Sequence, residues 1–199
     1  SGDAKIVLAI IKLIEDRWNT AHDVAVGGVR VILLIEDSPF FASRYLPLLY
    51  TELVQQTQAV MSDTVTLGQR LVRMRARPHV ILARSFEEAA QRFEEFRHAL
   101  LGVVSDVRFS REGVDDPEAG FRFLRLVRAQ TTELPVLMQS SDPDLTKEAE
   151  RLGAEFADKN DPRLLERVRG FVLRNFGFGD FVFRDADGQE VARAASIHE

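Results

Sequence analysis

Four apolar runs along this chain each end in residues that can do chemistry. Val31-Ile32-Leu33-Leu34-Ile35 leads into Glu36-Asp37, and Leu100-Leu101-Gly102-Val103-Val104-Ser105 leads into Asp106. Pro135-Val136-Leu137-Met138-Gln139 leads into Ser140-Ser141, and the short Glu155-Phe156-Ala157 into Asp158-Lys159. Continuous apolar runs of this length, without alternation, read as strands buried on both faces of a parallel sheet. His79 to Ala83 supplies a fifth strand. Helix signals fall between the strands. Ser38 can cap a helix that carries Pro39 in its first turn, and Ser85 with Glu88 forms a capping box. Asp116-Pro117, Asp142-Pro143 and Asp161-Pro162 repeat the cap-then-proline signal, and Gly153 and Gly177 stand where the last two helices should end.

The alternation from Val29 to about Phe176 predicts five strands and five helices, a parallel sheet with helices on both faces. The carboxyl ends of such strands share one edge, and ligands bind there. Glu36, Asp37, Asp106, Ser140 and Lys159 are therefore expected around one pocket. Three carboxylates, a hydroxyl and an ammonium group suit a divalent cation and a phosphoryl group. Asp106 is the most informative of them, because an aspartate ending so apolar a strand needs a partner such as a cation.

The flanks give the chain three parts: 1–28, 29–176 and 177–199. In the first, Ile6, Ile10, Leu13 and Ile14, with Val7 and Trp18 beside them, predict an amphipathic helix from about Asp3 to Trp18 whose apolar face must be buried. A looser segment, His22 to Gly28, is expected to follow. Between Pro39 and Pro78 a long first helix should be kinked by Pro47, broken around Ser62 to Thr66, and followed by a helical piece around Leu67 to Arg75. Arg70, Arg73, Arg75 and Arg77 alternate there with apolar residues and read as a solvated helix face. In the tail, Asp187-Gly188 between alternating segments predicts a β-hairpin.

Composition narrows the class. At 199 residues the chain can bury one substantial core plus an appendage, and a net charge of −5 without a basic stripe gives no reason to expect nucleic-acid binding. The absence of cysteine excludes disulfides and thiol chemistry and agrees with a cytoplasmic setting. No apolar stretch reaches the roughly 18 residues that would span a bilayer, and charges interrupt the amino-terminal apolar positions where a signal peptide would need none.

The ordered set of residues at the strand ends resembles the receiver domain of two-component response regulators, over Val29 to about Phe176. The resemblance implies a flavodoxin-like, doubly wound sheet of strand order 2-1-3-4-5, here with an extra N-terminal helix and a C-terminal hairpin. It implies that Asp106 accepts a phosphoryl group from a sensor histidine kinase or a phosphotransfer protein. Mg²⁺ would be held by Asp37, Asp106 and the backbone carbonyl of Arg108, with Glu36 acting through a water. Lys159 would pair with the acyl phosphate, Ser140 would hydrogen-bond it, and Phe156 matches the aromatic that changes rotamer on activation.

Two features depart from the pattern. The loop from Val107 to Asp116 is longer and more charged than usual, and Lys159 is followed by Asn160 in place of proline. The segment Asn175 to Phe183 resembles the stretch that follows receivers joined to a phosphoenolpyruvate synthase-like enzyme, and the leading helix looks like the last helix of another receiver-like domain. Both imply an internal module of a larger protein with an attached output domain, and the leading helix makes a homodimer an expectation. Two rival readings stay open. One is a receiver-like interaction module that is not phosphorylated. The other is a haloacid dehalogenase-type phosphatase, which would need an acid two residues after the nucleophile, where this chain has Arg108.

Overall fold

The computed structural model describes residues 2–59, 77–176, 181–184 and 189–194. Five strands form one parallel sheet: β1 (Val31–Ile35), β2 (His79–Ala83), β3 (Leu100–Asp106), β6 (Val136–Ser140) and β7 (Glu155–Asp158), in the spatial order β2-β1-β3-β6-β7. Counted along the chain this is the order 2-1-3-4-5, the flavodoxin-like arrangement expected from the sequence. The helices are α1 (Gly2–Gly27), α2 (Pro39–Ala59), α3 (Phe86–Phe96), α4 (Ala119–Arg128), α5 (Thr146–Arg151) and α6 (Leu164–Asn175). β4 (Phe109–Arg111) and β5 (Val114–Asp116) form a small antiparallel hairpin, as do β8 (Phe181–Arg184) and β9 (Glu190–Ala194).

The pleat divides the core into two layers. Val31, Leu33, Ile35, Val103 and Met138 face α3, α4 and α5, where Phe93, Phe123 and Leu124 are buried. Ile32, Leu34, Val104, Leu137 and Ala157 face α2 and α6, against Tyr45, Leu49, Leu53, Val168 and Phe171. The period of two along each strand then decides where the next polar residue goes. Glu36 continues the parity of Ile32 and Leu34, and Asp106 that of Val104, so both are directed to the α2–α6 side.

Local signals behaved unevenly. Ser85 caps α3 by accepting from the Glu88 N–H at 3.2 Å, but the Glu88 carboxylate accepts from the Arg84 N–H at 2.7 Å, one residue earlier than a standard box. Asp142 caps the short 3₁₀ turn at Pro143–Leu145, and Gly153 closes α5 with a positive φ of 71°. Asp116 and Asp161 do not cap directly: Glu118 and Arg163 precede α4 and α6, and the two aspartates accept from the N–H groups of those residues. The helix after Pro39 runs as one element through Pro47. The expected break, the helical piece at Leu67 to Arg75 and Gly177 lie outside the described residues.

The loop after Asp106 is a hairpin that the sequence reading did not anticipate. Its turn, Glu112-Gly113, has φ of 54° and 77°, the left-handed pair that a two-residue hairpin turn demands. Phe109, fully buried, anchors its first strand in the core.

The leading helix differs most from expectation. It continues through the segment expected to be loose, as far as Gly27. The face it packs on the domain is Ala9, Leu13, Asp16 and Thr20, while Ile10, Ile14 and Trp18 of the expected stripe are 48, 53 and 82 % exposed. Burial on this face is driven by a polar cluster. Asp16, fully buried, accepts from Arg77 Nη2 at 2.6 Å, from the Tyr50 hydroxyl at 2.8 Å and from the Val80 N–H at 2.8 Å. Thr20 Oγ1 lies 3.0 Å from His79 Nδ1, and the Arg77 guanidinium stacks over the Tyr50 ring at 5.3 Å. Arg77 is therefore no solvated residue, as its cluster suggested; its side chain is 6 % exposed. Val80 lies in the edge strand of the described sheet, so Asp16 also satisfies an N–H that no neighbouring strand among the described residues reaches.

Asp16→Ala leaves the Arg77 guanidinium buried without its carboxylate, which costs about 3–5 kcal/mol in comparable pairs. The expected result is a large drop in the urea unfolding midpoint with an unchanged slope. A drop equivalent to less than about 1 kcal/mol, the range of an exposed pair, would show that α1 is not held by this cluster.

Candidate functional site

Glu36 emerges from β1 fully buried, its Oε1 accepting from the Ser38 N–H at 3.1 Å. Asp37 follows it into solvent. From β3, the neighbouring strand, Asp106 presents Oδ1 to the Val107 N–H at 2.7 Å and, more distantly, to the Arg108 N–H at 3.4 Å. Lys159 arrives from the end of β7, its own N–H donated to the Ser140 carbonyl at 2.8 Å. Its ammonium donates to Asp106 Oδ2 at 2.6 Å and to Glu36 Oε2 at 2.9 Å, and lies 4.1 Å from the centroid of the Phe41 ring. Five percent of that side chain is exposed. Two carboxylates and an aromatic face thus enclose one ammonium.

One ammonium does not neutralise three carboxylates. Glu36, Asp37 and Asp106 each bring a ligand oxygen within 4.8 Å of the others, on the rim that opens to solvent at Asp37. Burial pushes the Glu36 carboxyl up to about 7, the Asp106 charge adds to this, and Lys159 opposes it. Burial also raises Asp106 above the usual carboxylate range, against the pull of Lys159 and the two backbone N–H groups. Both groups would be eased by further positive charge, and the donor set, all hard oxygens with room for water, fits Mg²⁺.

The remaining expected residues stand around this centre. Ser140, at the end of β6, holds Lys159 through its carbonyl, and its Oγ accepts from the Asp142 N–H at 3.1 Å. Arg108 turns its guanidinium to Asp115 across the β4–β5 hairpin, with Nε at 2.7 Å. Phe156 is half-buried opposite Met138, on the other face of the sheet from Asp106. Asn160, in the place where a proline was expected, donates from its side chain to the Ser141 carbonyl at 2.9 Å and so ties the β6 and β7 loops together.

Four residues of the site were not singled out from the sequence. Phe41 and Tyr45 lie one turn apart on α2 beneath Lys159, their rings stacked at 6.1 Å; the signal was an aromatic pair at helical spacing just after Glu36-Asp37. Gly120 brings α4 against the end of β3: a Cβ there would lie 2.4 Å from the Asp106 carbonyl oxygen and 2.7 Å from the Val107 Cα. Gln139 is fully buried as the register partner of Asp106, and among the described residues neither polar atom of its amide finds a partner, nor does the Tyr45 hydroxyl. A polar residue inside an apolar strand was the legible sign.

Solved structures similar to this one include a response regulator receiver domain protein from Clostridium thermocellum, 19 % identical, with a TM-score of 0.46, covering 74 % of this chain and 94 % of that one. The chemotaxis protein CheY4 of Vibrio cholerae is 20 % identical with a TM-score of 0.44, over 74 % and 98 % of the two chains. The phosphorylated cyanobacterial phytochrome response regulator RcpA is 14 % identical with a TM-score of 0.46, over 82 % and 99 %. Likeness at this level transfers no residue role to the chain. No family model matches the sequence, and no curated protein matches it.

Two measurements follow from the site. Glu36 binds a proton more tightly in the folded chain (about 7) than unfolded (4.5), so the folded state carries the extra proton between those values. Metal-free stability should therefore fall as pH rises from about 4.5 to 7 and level off above, by an amount on the order of 3 kcal/mol. Glu36→Gln should flatten that slope, and a slope kept in the variant would assign it elsewhere. Gln139→Leu should raise the melting temperature, because it replaces an unpartnered buried amide by an apolar side chain of similar size, a gain of about 1 kcal/mol. A lowered melting temperature would mean that the amide is hydrogen-bonded in solution.

Proposed function

We propose that this chain is a phosphoacceptor switch of two-component signalling, with Asp106 as the acceptor. The observation that carries the reading is the Asp106 carboxylate held 2.6 Å from the Lys159 ammonium with Glu36 and Asp37 in reach of a shared cation. An Asp106 oxygen attacks phosphorus and forms the new O–P bond, while the bond from phosphorus to the donor breaks and its electron pair leaves with the donor. A sensor histidine kinase or phosphotransfer protein is the donor this chemistry implies. Phosphoryl transfer needs positioning and charge neutralisation more than covalent help. Backbone N–H groups of Val107 and Arg108 fix the acceptor, and Lys159 pairs with the transferred charge as a compact cation.

Bound Mg²⁺, held by Asp37, Asp106 and the Arg108 carbonyl with Glu36 behind a water, would neutralise the phosphoryl oxygens. Ser140 reports the phosphoryl group from the β6 edge, and Phe156 transmits the change to the opposite face. The output is an attached domain or partner, so the chain acts as a signalling module in the cytoplasm, with catalysis limited to its own phosphorylation and dephosphorylation. The phosphatase reading is disfavoured, since Arg108 stands where a general acid is needed and is engaged by Asp115. The interaction-only reading remains the competitor.

Acetyl phosphate with Mg²⁺ should add one phosphoryl group, seen by intact mass and labile to hydroxylamine. Asp106→Asn should abolish the adduct, and Lys159→Ala should leave beryllofluoride binding weakened at least tenfold. Absence of both adduct and beryllofluoride binding at saturating Mg²⁺ would leave only the interaction module.

A further inference from the structure

Helix α1 has a second face that the domain does not use. Opposite Ala9, Leu13, Asp16 and Thr20 lie Val7, Ile11, Ile14 and Trp18, exposed by 55, 56, 53 and 82 %, flanked by Leu8 and Ile10 at 53 and 48 %. The spacing along this face is regular. Ala4, Val7, Ile11, Ile14, Trp18, Ala21 and Ala25 recur at alternating intervals of three and four, so every a and d position of three heptads is apolar. Ala9, Asp16 and Asp23 then occupy f, the position most distant from such a seam, and Ala9 and Asp16 are buried against the domain. One side of the helix is fixed by the Asp16–Arg77 cluster, and the other presents the seam to solvent among the described residues.

We propose that this seam pairs with the same seam of a second copy of the chain, as a two-helix antiparallel coiled coil. The proposal is independent of phosphorylation. A sustained heptad seam on a helix of 26 residues is the pattern by which helices pair with one another along their length. Pairing would bury six large apolar side chains from each copy that are now 48 to 82 % exposed, the kind of surface from which a stable interface of about 1,200–2,000 Å² is built. The residue sizes choose the direction. Antiparallel pairing sets Ile11 against Ile14 and Val7 against Trp18 of the second copy, so that the one tryptophan meets a small apolar side chain, and places Ala4 against Ala21 toward the ends. Parallel pairing would set Trp18 on Trp18, an overpacked layer that the antiparallel arrangement avoids, while the alanine layers are small in either direction.

The chain contains one tryptophan and no cysteine, which makes the test direct. Sedimentation of the whole chain should show a dimer at tens of micromolar that dissociates on dilution, with Trp18 emission moving to the red as it does so. Ile14→Lys should give a monomer with red emission at every concentration and an unchanged melting temperature when dilute. Val7→Cys and Trp18→Cys chains oxidised together should form the mixed disulfide, and neither should crosslink with itself. A wild-type monomer at every concentration, an Ile14→Lys variant that still dimerises, or self-crosslinking of Val7→Cys would each overturn the proposal.

Discussion

The ammonium of Lys159, buried between Asp106 and Glu36, is the contact around which the carboxyl edge of the sheet is organised. Three strands have to end in register for it to form. β1 supplies Glu36, β3 supplies Asp106, and β7 supplies Lys159 through the bond from its N–H to the Ser140 carbonyl. Removing any one of the three leaves charge in a place where water reaches poorly, a larger penalty than an exposed pair would incur. The central pair β1–β3 and the outer pair β6–β7 are thereby joined by charge as well as by backbone hydrogen bonds.

The same contact leaves the pocket unbalanced, and that imbalance is its chemistry. With two carboxyl groups pushed toward their neutral forms and a third at the rim, the site gains from a cation that brings more charge than one ammonium. Gly120 keeps the back of Asp106 rigid by packing α4 against the strand end with no Cβ in between. The Phe41 ring lies under Lys159, and the buried Gln139 amide, register partner of Asp106, has no hydrogen-bond partner among the described residues.

A second buried charge pair works at the opposite corner. Asp16 and Arg77 join the leading helix to the edge strand, capping the Val80 N–H and enclosing Tyr50. Because the docked face of α1 is this polar one, its apolar side is turned outward. The helix docks through the face that carries Asp16 and Thr20 and leaves most of its expected apolar stripe exposed.

Periodicity and strand-end chemistry, both local in the chain, determined a great deal. Continuous apolar runs specified buried parallel strands, and the residues that followed them placed Glu36, Asp37, Asp106 and Lys159 on one edge, because strand ends in such a sheet have nowhere else to go. β8 and β9 pair antiparallel, as the alternating segments of the tail led one to expect, while Asp187-Gly188 lies outside the described residues. What remained hidden was decided by partners distant in sequence. Nothing near Asp16 shows that it will meet Arg77, 61 positions away, and a lone aspartate on a helix otherwise reads as solvated. The charged loop after Asp106 became a hairpin because Phe109 could be buried and Glu112-Gly113 could adopt left-handed backbone. Local patterning set the five strands of the sheet; only the packed structure decided how far α1 runs, that the loop after Asp106 forms a hairpin and which face of each element is covered, since burial of a polar group is favourable only when a partner waits on another element.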